Sequence, residues 1–366
     1  MRKLEEDLKS PSLLLSGISE EAILRWMVLL LSVLIGGFAG LFSVLIAQAL
    51  MSASKKYEHG DESRFGGFVI VSFFYLSLFW LYGVTSMITL PPIAIGLMVS
   101  ALIIFVFGVY QEMFGFLSLR SNLLYVAVYA FSTVLLFRFS NAELLSSLGM
   151  GSNSEWVILA AAMAVLIFSV FAFNASNGMN GLVPYLSVFT VVGLPSLGSS
   201  SIDSSLQLLG VGCVIFLMFN VVLGKIYIGT GGAYFLGAIF GFVAFYCLML
   251  GNIDLGYLFC LFFYPYANLL HTIIRRFAKG KALFGDDNGH LDNLIYRKLL
   301  TINFISDQSS NLSGLIVAAL FCALPVIIDR FDVGVNWWIC YVFMWFLYLL
   351  LFSVLSDDET RELTFD

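Results

Sequence analysis

The chain has 366 residues, of which 60% are hydrophobic and 11% charged, with a mean hydropathy of +0.95 and a formal net charge of -6. A soluble domain carries about a quarter charged residues, so this composition excludes an ordinary soluble protein and indicates a polytopic membrane protein. The five cysteines lie in apolar runs without a Cys-x-x-Cys pair, which favours packing over disulfides or metal binding.

Apolar runs along the chain predict an all-α membrane helix bundle that forms one domain over residues 1–366. We expect about eleven transmembrane spans, at about 22–49, 66–82, 93–109, 123–137, 156–170, 183–192, 206–222, 233–250, 253–263, 312–328 and 335–355. Between them, residues 108–115 read as a polar turn, 138–155 as a polar loop and 193–205 as a flexible Gly/Ser-rich connection.

One motif stands out at the boundary between two of these spans. Asn174, Asn177 and Asn180 recur every third residue, so on a helix they would share one face and could bind a polar head group. Gly178 and Gly181 allow a backbone or ligand to approach closely. The alternative interpretation is an N-capped helix start after a glycine turn.

This segment resembles the Asn-x-x-Asn-x-x-Asp-Gly-x-Asp-Gly-Leu signature of the polyprenyl-phosphate N-acetylhexosamine-1-phosphate transferases. Those membrane enzymes transfer a sugar phosphate from a UDP-sugar to a lipid phosphate. The matching residues are Asn174, Gly178, Gly181 and Leu182. Both aspartates of the signature are replaced, by Asn177 and Asn180, and its first asparagine is Phe171.

Two more segments resemble the family in its own order. In the first, Gln111 and Glu112 stand where the family has an Asp-Asp pair, and Arg120 lies near a basic residue of the family. In the second, the family has Lys-Ile-Phe-hydrophobic-Gly-Asp-x-Gly-Ser/Ala, and its aspartate is Thr230 here. The matching residues are Lys225, Ile226, Gly229, Gly232 and Ala233. A glycine-rich turn with a lysine is by itself a weak indication of phosphate binding.

The resemblance covers about residues 52–300 and includes a last loop in which the family's second histidine is Asp292. The matching residues of that loop are His290, Leu291, Leu294, Tyr296 and Arg297. His59, Arg64, Gly66 and Gly67 resemble the family's entry into the second span, although a solvated basic loop explains the charges equally well. A basic cluster at Arg275, Arg276, Lys279 and Lys281 fits the family or simple binding of anionic lipid.

Alternating the spans across the membrane places the four motif segments on one side, together with most of the lysines and arginines. The positive-inside rule then predicts an integral multi-pass protein of the inner or plasma membrane with its site facing the cytoplasm. This topology predicts that a cysteine substituted for Lys56 or Lys279 is not labelled from outside intact cells, whereas a cysteine substituted for Gly198 is labelled.

The resemblance implies a cell-envelope transferase whose substrates are polyprenyl phosphate and a UDP-sugar, with Mg²⁺ as the family's cofactor. It assigns catalytic positions to Glu112, Asn177, Asn180 and His290. It assigns substrate or phosphate binding to Asn174, Lys225, Thr230 and Arg297. Because Asn177, Asn180 and Thr230 are uncharged where the family uses carboxylates, Mg²⁺ binding is doubtful and Mg²⁺-dependent catalysis is expected to be reduced or lost.

Three interpretations remain open from the sequence. The first is an active, divergent transferase that uses Glu112, Asp286, Asp287 or Asp292 to bind the metal. The second is a pseudo-enzyme that binds polyprenyl phosphate or a nucleotide sugar, or that partners an active paralogue. A homodimer is also compatible with the sequence. The third is a membrane transporter, against which the order of the motifs argues. Besides the lipid bilayer and these substrates, no nucleic-acid partner is indicated.

Overall fold

The structure is a computed structural model that describes residues 64–84, 92–114, 119–140, 152–223, 226–251, 253–281, 289–302 and 308–362, together with Leu34, Phe38, Phe42 and Leu45. Within these ranges the fold is all helical, as the sequence predicted. The α-helices are, in chain order, α1 Gly67–Leu78, α2 Pro92–Phe114, α3 Leu119–Ser140, α4 Ser152–Ala175, α5 Leu182–Gly193, α6 Ser200–Leu223, α7 Gly229–Leu250, α8 Leu255–Leu261, α9 Phe263–Ala278, α10 Leu291–Leu300, α11 Ser309–Ala318, α12 Leu324–Arg330 and α13 Trp337–Glu362. A π-helical turn, Phe79–Val84, extends α1, and another, Ala319–Ala323, joins α11 to α12.

Seven helical segments of the described ranges are long and apolar enough to cross a membrane, and the count is eight if the bent pair α8–α9 forms one span. Two shorter apolar helices, α1 with its π turn and α5, accompany them. The predicted first span, 22–49, lies almost entirely outside the described residues. The protein is therefore an integral membrane protein, and the number eleven stays a prediction.

Helix α7 forms the centre of the bundle and is the most buried of the candidate spans. It runs antiparallel to α4, because Gly237 packs against Ser169 and Phe173 while Gly241, one turn further along α7, packs against Ser169 and Leu166. The register of this contact brings the end of α4 and the beginning of α7 to the same end of the bundle.

Glycines allow α1 and α2 to approach α7 at backbone distance. A β-carbon at Gly67 would lie 2.6 Å from the Gly232 Cα, and one at Gly108 would lie 2.6 Å from the Gly231 Cα. Both contacts are shorter than a side chain tolerates, so these positions require glycine for packing. We refer to Gly67, Gly108, Gly231 and Gly232 as the glycine seam.

The predicted span 253–263 is part of two helices, α8 and α9, that meet at Phe262 with a bend of 73°. Proline explains the break. Pro265 has no N–H to donate to the Leu261 carbonyl four residues earlier, and its ring clashes with that carbonyl, so α8 ends there. In α9 the same proline occupies the first turn, where an N–H needs no helical acceptor.

Three loop predictions were wrong in part. Helix α2 continues to Phe114, so Gln111 and Glu112 lie on its last turn and not in a polar turn. Helix α6 begins at Ser200, so 200–205 is helical, and the Ser205 hydroxyl donates to the Ser201 carbonyl inside it. The loop predicted at 138–155 is helical up to Ser140 and from Ser152 onward, and the residues between lie outside the described ranges.

Candidate functional site

The first pair of motif residues that the structure brings together is Glu112 and Thr230. Glu112 Oε1 accepts hydrogen bonds from the Thr230 backbone N–H at 2.9 Å and from the Thr230 hydroxyl at 2.7 Å. Thr230 is the second residue of α7, where backbone N–H groups lack helical acceptors and the helix dipole favours a negative charge. The half-buried Glu112 carboxylate therefore caps α7 from the last turn of α2.

Gln111, at the other position of the family's acidic pair, joins three helices. Its side chain is 3% exposed, and its Nε2 donates to Asn122 Oδ1 at 2.7 Å. Its Oε1 accepts from the Tyr234 hydroxyl at 3.4 Å. The centroids of the Phe171 and Tyr234 rings lie 6.3 Å apart in an edge-to-face arrangement. Phe171, which stands where the family has its first asparagine, therefore makes an apolar packing contact here.

The asparagines do not share a helix face, which corrects the first interpretation of their spacing. Helix α4 ends at Ala175, so only Asn174 is helical, and Asn177 and Asn180 lie in a turn. The turn ends at Gly181, whose φ of +75° is left-handed, and α5 begins directly after it without a side-chain cap. The alternative of a helix start after a glycine turn is therefore closer to the structure, although no asparagine caps the helix.

Asn180 is buried and its side chain joins α6 to the turn. The Asn220 amide donates to Asn180 Oδ1 at 3.4 Å and to the Ile226 carbonyl. The Asn180 backbone N–H donates to the Ser310 hydroxyl of α11 at 3.1 Å. This residue therefore connects the asparagine turn with the segment that leads into α7.

Asp292 is a fully buried carboxylate directly beneath this turn. Its Oδ1 accepts from the Tyr264 hydroxyl at 3.2 Å, and its Oδ2 has no hydrogen-bond partner in the described part of the chain. A β-carbon at the exposed Gly178 would lie 2.7 Å from Oδ2. Burial raises the pKa of Asp292 to about 7, against the lowering effect of the Tyr264 hydroxyl and of backbone N–H groups at the start of α10.

His290 connects the last motif to the end of α4 through Asn268. His290 Nδ1 lies 3.2 Å from Asn268 Oδ1 and 3.1 Å from the Thr272 hydroxyl. Asn268 Nδ2 donates to the Ala175 carbonyl at 3.2 Å. Because an amide oxygen only accepts, the Asn268 contact favours a proton on His290 Nδ1.

Basic side chains lie on the segments that flank this histidine in the chain. The Arg275 guanidinium packs against Gly289, directly before His290. Arg297, on the last turn of α10, is half-buried, and its Nε lies 3.5 Å from the Asn293 carbonyl. Lys279 and Lys281 are exposed just after α9.

A continuous set of contacts links the four motif segments. Glu112 bonds Thr230, Asn220 joins Ile226 to Asn180, and Gly178 packs on Asp292, two residues after His290. All four segments therefore meet at one end of the bundle. Lys225, Asp286, Asp287 and the side chain of Arg120 lie outside the described residues, so the predicted closeness of Asn174 to Lys225 stays a prediction.

The glycines after Lys225 lie at the beginning of α7. Gly229 is the first residue of α7, and Gly231 and Gly232 belong to the glycine seam. Helix packing by itself therefore accounts for Gly231 and Gly232, and phosphate binding at this segment stays a prediction.

Among the described residues, the motif side chains do not fit a Mg²⁺ site of the usual kind, which takes one or two carboxylates. Glu112 Oε1 already accepts two hydrogen bonds, the Thr230 hydroxyl is a donor in one of them, and Asn180 Oδ1 accepts from Asn220. In the described part of the chain, no three His, Cys, Asp or Glu side chains are placed to hold a metal ion together.

The sequence reasoning missed residues that complete this cluster. They are Asn220, Asn268 and Ser310. Asn220 carried a usable signal, because an amide within the apolar run 206–222 is costly unless it is bonded. Asn268 and Ser310 lie outside the predicted spans and carried no such signal.

The fold and this cluster define an all-helical integral membrane protein with a polar site at one end of its bundle. Residues 94–248 match the model of glycosyl transferase family 4. The undecaprenyl-phosphate alpha-N-acetylglucosaminyl 1-phosphate transferase of Thermotoga maritima is 27% identical over 132 residues, which cover 36% of this chain and 40% of that relative. The resemblance to the polyprenyl-phosphate sugar-1-phosphate transferases that the motifs predicted is confirmed by these matches.

Proposed function

We propose that this protein binds polyprenyl phosphate and a nucleotide sugar at the motif cluster, on the cytoplasmic side of the membrane, and that its Mg²⁺-dependent sugar-phosphate transfer is reduced or lost. The observation that carries the proposal is the Glu112–Thr230 pair. The Glu112 carboxylate bonds Thr230, which stands where the family has an aspartate, and so acts as a cap of α7. The four motif segments nevertheless remain in contact.

Anion binding is supported by the charges around the cluster. Arg275 and Arg297 lie on either side of the His290 loop, and Lys225 precedes the segment that contacts Asn180 through Asn220. Guanidinium groups bind phosphate oxygens through charge-assisted, often bidentate hydrogen bonds. The amides of Asn174 and Asn177, both half-buried, add neutral donors at the same end.

Loss of transfer follows from electrostatics. In phosphoryl transfer the protein mainly positions the reactants and stabilises charge that accumulates on the phosphate. At the family's aspartate positions this chain presents the neutral side chains of Asn177, Asn180 and Thr230. Asp292 is a carboxylate, but it is fully buried, and because burial raises its pKa to about 7 the neutral acid is populated near pH 7.

The experiment measures binding and turnover separately on the full-length protein in detergent or nanodiscs. We expect UDP-sugar or polyprenyl phosphate to bind in the presence of EDTA, and Lys225→Ala to weaken that binding about tenfold through the loss of one charge-assisted contact. Arg138→Ala, which removes a basic side chain at the opposite end of the bundle, is the control and should leave binding unchanged.

UMP release from several UDP-sugars with polyprenyl phosphate and Mg²⁺ measures transfer. We expect little or none from the wild-type protein. Robust turnover that Glu112→Gln abolishes, and that Glu155→Gln preserves, would instead establish an active divergent transferase with Glu112 at its centre. Glu155 is a suitable control because it pairs with Arg138 at the opposite end of the bundle, at 2.6 Å.

A further inference from the structure

A polar cavity lies at the end of the bundle opposite the motif cluster. Helix α5 leads there, since it begins beside the asparagine turn and ends at Gly193. The cavity has a volume of about 240 Å³. Its walls are the end of α5 with the following loop, the start of α8, the end of α12 and the start of α13. The lining residues used below are Val192, Gly193, Asp254, Tyr257, Asp329, Arg330 and Trp337.

Hydrogen bonds and ring packing hold these walls together. The Tyr257 hydroxyl donates to the Gly193 carbonyl at 2.9 Å, and Arg330 Nη2 donates to the Val192 carbonyl at 3.2 Å. The Tyr257 and Trp337 rings lie 4.7 Å apart. Because all four walls are tied together, the cavity is preformed, and a ligand would not have to order it.

The charges of the cavity are of both signs. Asp254 and Asp329 contribute two carboxylates, and Arg330 contributes a guanidinium with five N–H donors, of which the bond to Val192 uses one. The positive charge of the guanidinium disfavours binding of a bare metal cation, and the negative charges of the carboxylates disfavour binding of a simple anion. A ligand that carries a cation and an anion a few bonds apart satisfies both.

Exposed apolar side chains surround the cavity and place it at the depth of the lipid head groups. Val192, Leu255, Phe331, Val333 and Trp338 are 42–77% exposed on the helix ends and loop around it. Tryptophan and other large apolar side chains at the end of membrane spans lie at the membrane–water interface. Phospholipid head groups are abundant at that depth, so a phospholipid is the ligand that this location favours.

We propose that this cavity binds the head group of a phospholipid that carries a primary ammonium next to its phosphate, as in phosphatidylethanolamine. The ammonium donates to the carboxylates of Asp254 and Asp329, and the phosphate accepts from Arg330. Three N–H donors distinguish a primary ammonium from a trimethylammonium, which cannot hydrogen-bond to carboxylates. The Tyr257–Trp337 pair adds an aromatic face for the cation.

The test measures thermal unfolding of the full-length protein in mixed micelles that contain phosphatidylethanolamine, phosphatidylcholine or phosphatidylglycerol, with native mass spectrometry to count retained lipids. We expect phosphatidylethanolamine to raise the melting temperature more than the other two and to be retained selectively. Asp329→Asn should weaken its apparent affinity about tenfold. Equal effects of the three lipids on the wild-type protein would overturn the proposal.

Two further variants separate binding from folding. Asp254→Asn removes the second charge but keeps a good helix cap, since Asp254 Oδ1 accepts from the Tyr257 N–H at 3.0 Å and asparagine caps as well as aspartate. It should also weaken selective retention. Asp332→Asn removes the same charge from the adjoining loop outside the cavity, and asparagine tolerates the φ of 46° found there. If Asp332→Asn lowers selectivity as much as Asp329→Asn, the effect is general surface charge and the cavity is not the site.

Discussion

Replacing Thr230 with aspartate tests whether the Glu112 carboxylate is a helix cap without a metal. The Thr230 hydroxyl donates to Glu112 Oε1 at 2.7 Å, so an aspartate at 230 places a second carboxylate against the first. Two unit charges ~4 Å apart repel by about 4 kcal/mol at an effective dielectric constant of ~20. Protonation of one acid relieves part of this repulsion, and we expect a loss of about 1–3 kcal/mol in the free energy of unfolding at pH 7.

Adding Mg²⁺ should restore the stability that Thr230→Asp loses, and it should not stabilise the wild-type protein. A cation between the two carboxylates stabilises the folded state by about 2.7 kcal/mol when its concentration is 100 times its Kd. The assay is thermal unfolding followed by tryptophan fluorescence, with EDTA and with increasing Mg²⁺. Adding Asn177→Asp and Asn180→Asp should raise the Mg²⁺ affinity further.

Thr230→Asn is the matched control, because it has the size of aspartate without the charge. In EDTA it should be more stable than Thr230→Asp and should not respond to Mg²⁺. Equal stabilities of the two variants in EDTA, or a wild-type protein that Mg²⁺ stabilises as strongly as Thr230→Asp, would refute the reasoning from the Glu112–Thr230 contact.

Two other predictions concern the Asp292 carboxyl and the orientation of the bundle. The pKa of Asp292 is raised to about 7 in the folded protein, so between about pH 4 and pH 7 the folded state binds more protons than the unfolded state, and stability falls as the pH rises. Asp292→Asn should remove this dependence, which amounts to up to about 4 kcal/mol, and should be more stable than wild type at pH 8 in thermal unfolding. In intact cells, a membrane-impermeant maleimide should label a cysteine at Gly198 and spare one at Lys279; the reverse pattern would place the motif cluster outside.

The helical class and the meeting of the four motif segments could be predicted because both depend on long-range patterns. Apolar runs long enough to span a bilayer leave little choice but helices. Alternation of such spans puts every second connection on one side. The structure joins Glu112 to Thr230, and Asn220 bonds both Asn180 and Ile226, at one end of the bundle.

Local geometry at the motif could not be predicted from residue spacing. The period of three in Asn174, Asn177 and Asn180 suits a helix, but Gly181 adopts a left-handed φ of +75° and a turn replaces the helix. The polar pair Gln111–Glu112 looked like a turn because both residues are hydrophilic. In the structure their partners lie on α3 and α7, and such tertiary bonds are invisible to local propensity.

The burial of Asp292 was equally hidden. A sequence shows a carboxylate in a polar loop, and nothing in its neighbours indicates that Tyr264 and the turn at Gly178 close over it. One interpretation of the sequence used Glu112, Asp286, Asp287 or Asp292 to bind a metal, and in the described part of the chain the Oδ2 atom of Asp292 has no hydrogen-bond partner.

The glycine seam has a consequence for how a mutational scan of this protein would look. Substitutions at Gly67, Gly108, Gly231 and Gly232 would fail because helices collide, whether or not any reaction takes place nearby. A map of intolerant positions would therefore outline the beginning of α7 for reasons of packing alone. Such a map would mark Gly67 and Gly232, which match the family's motifs, and it would carry no information on whether the protein is an active enzyme.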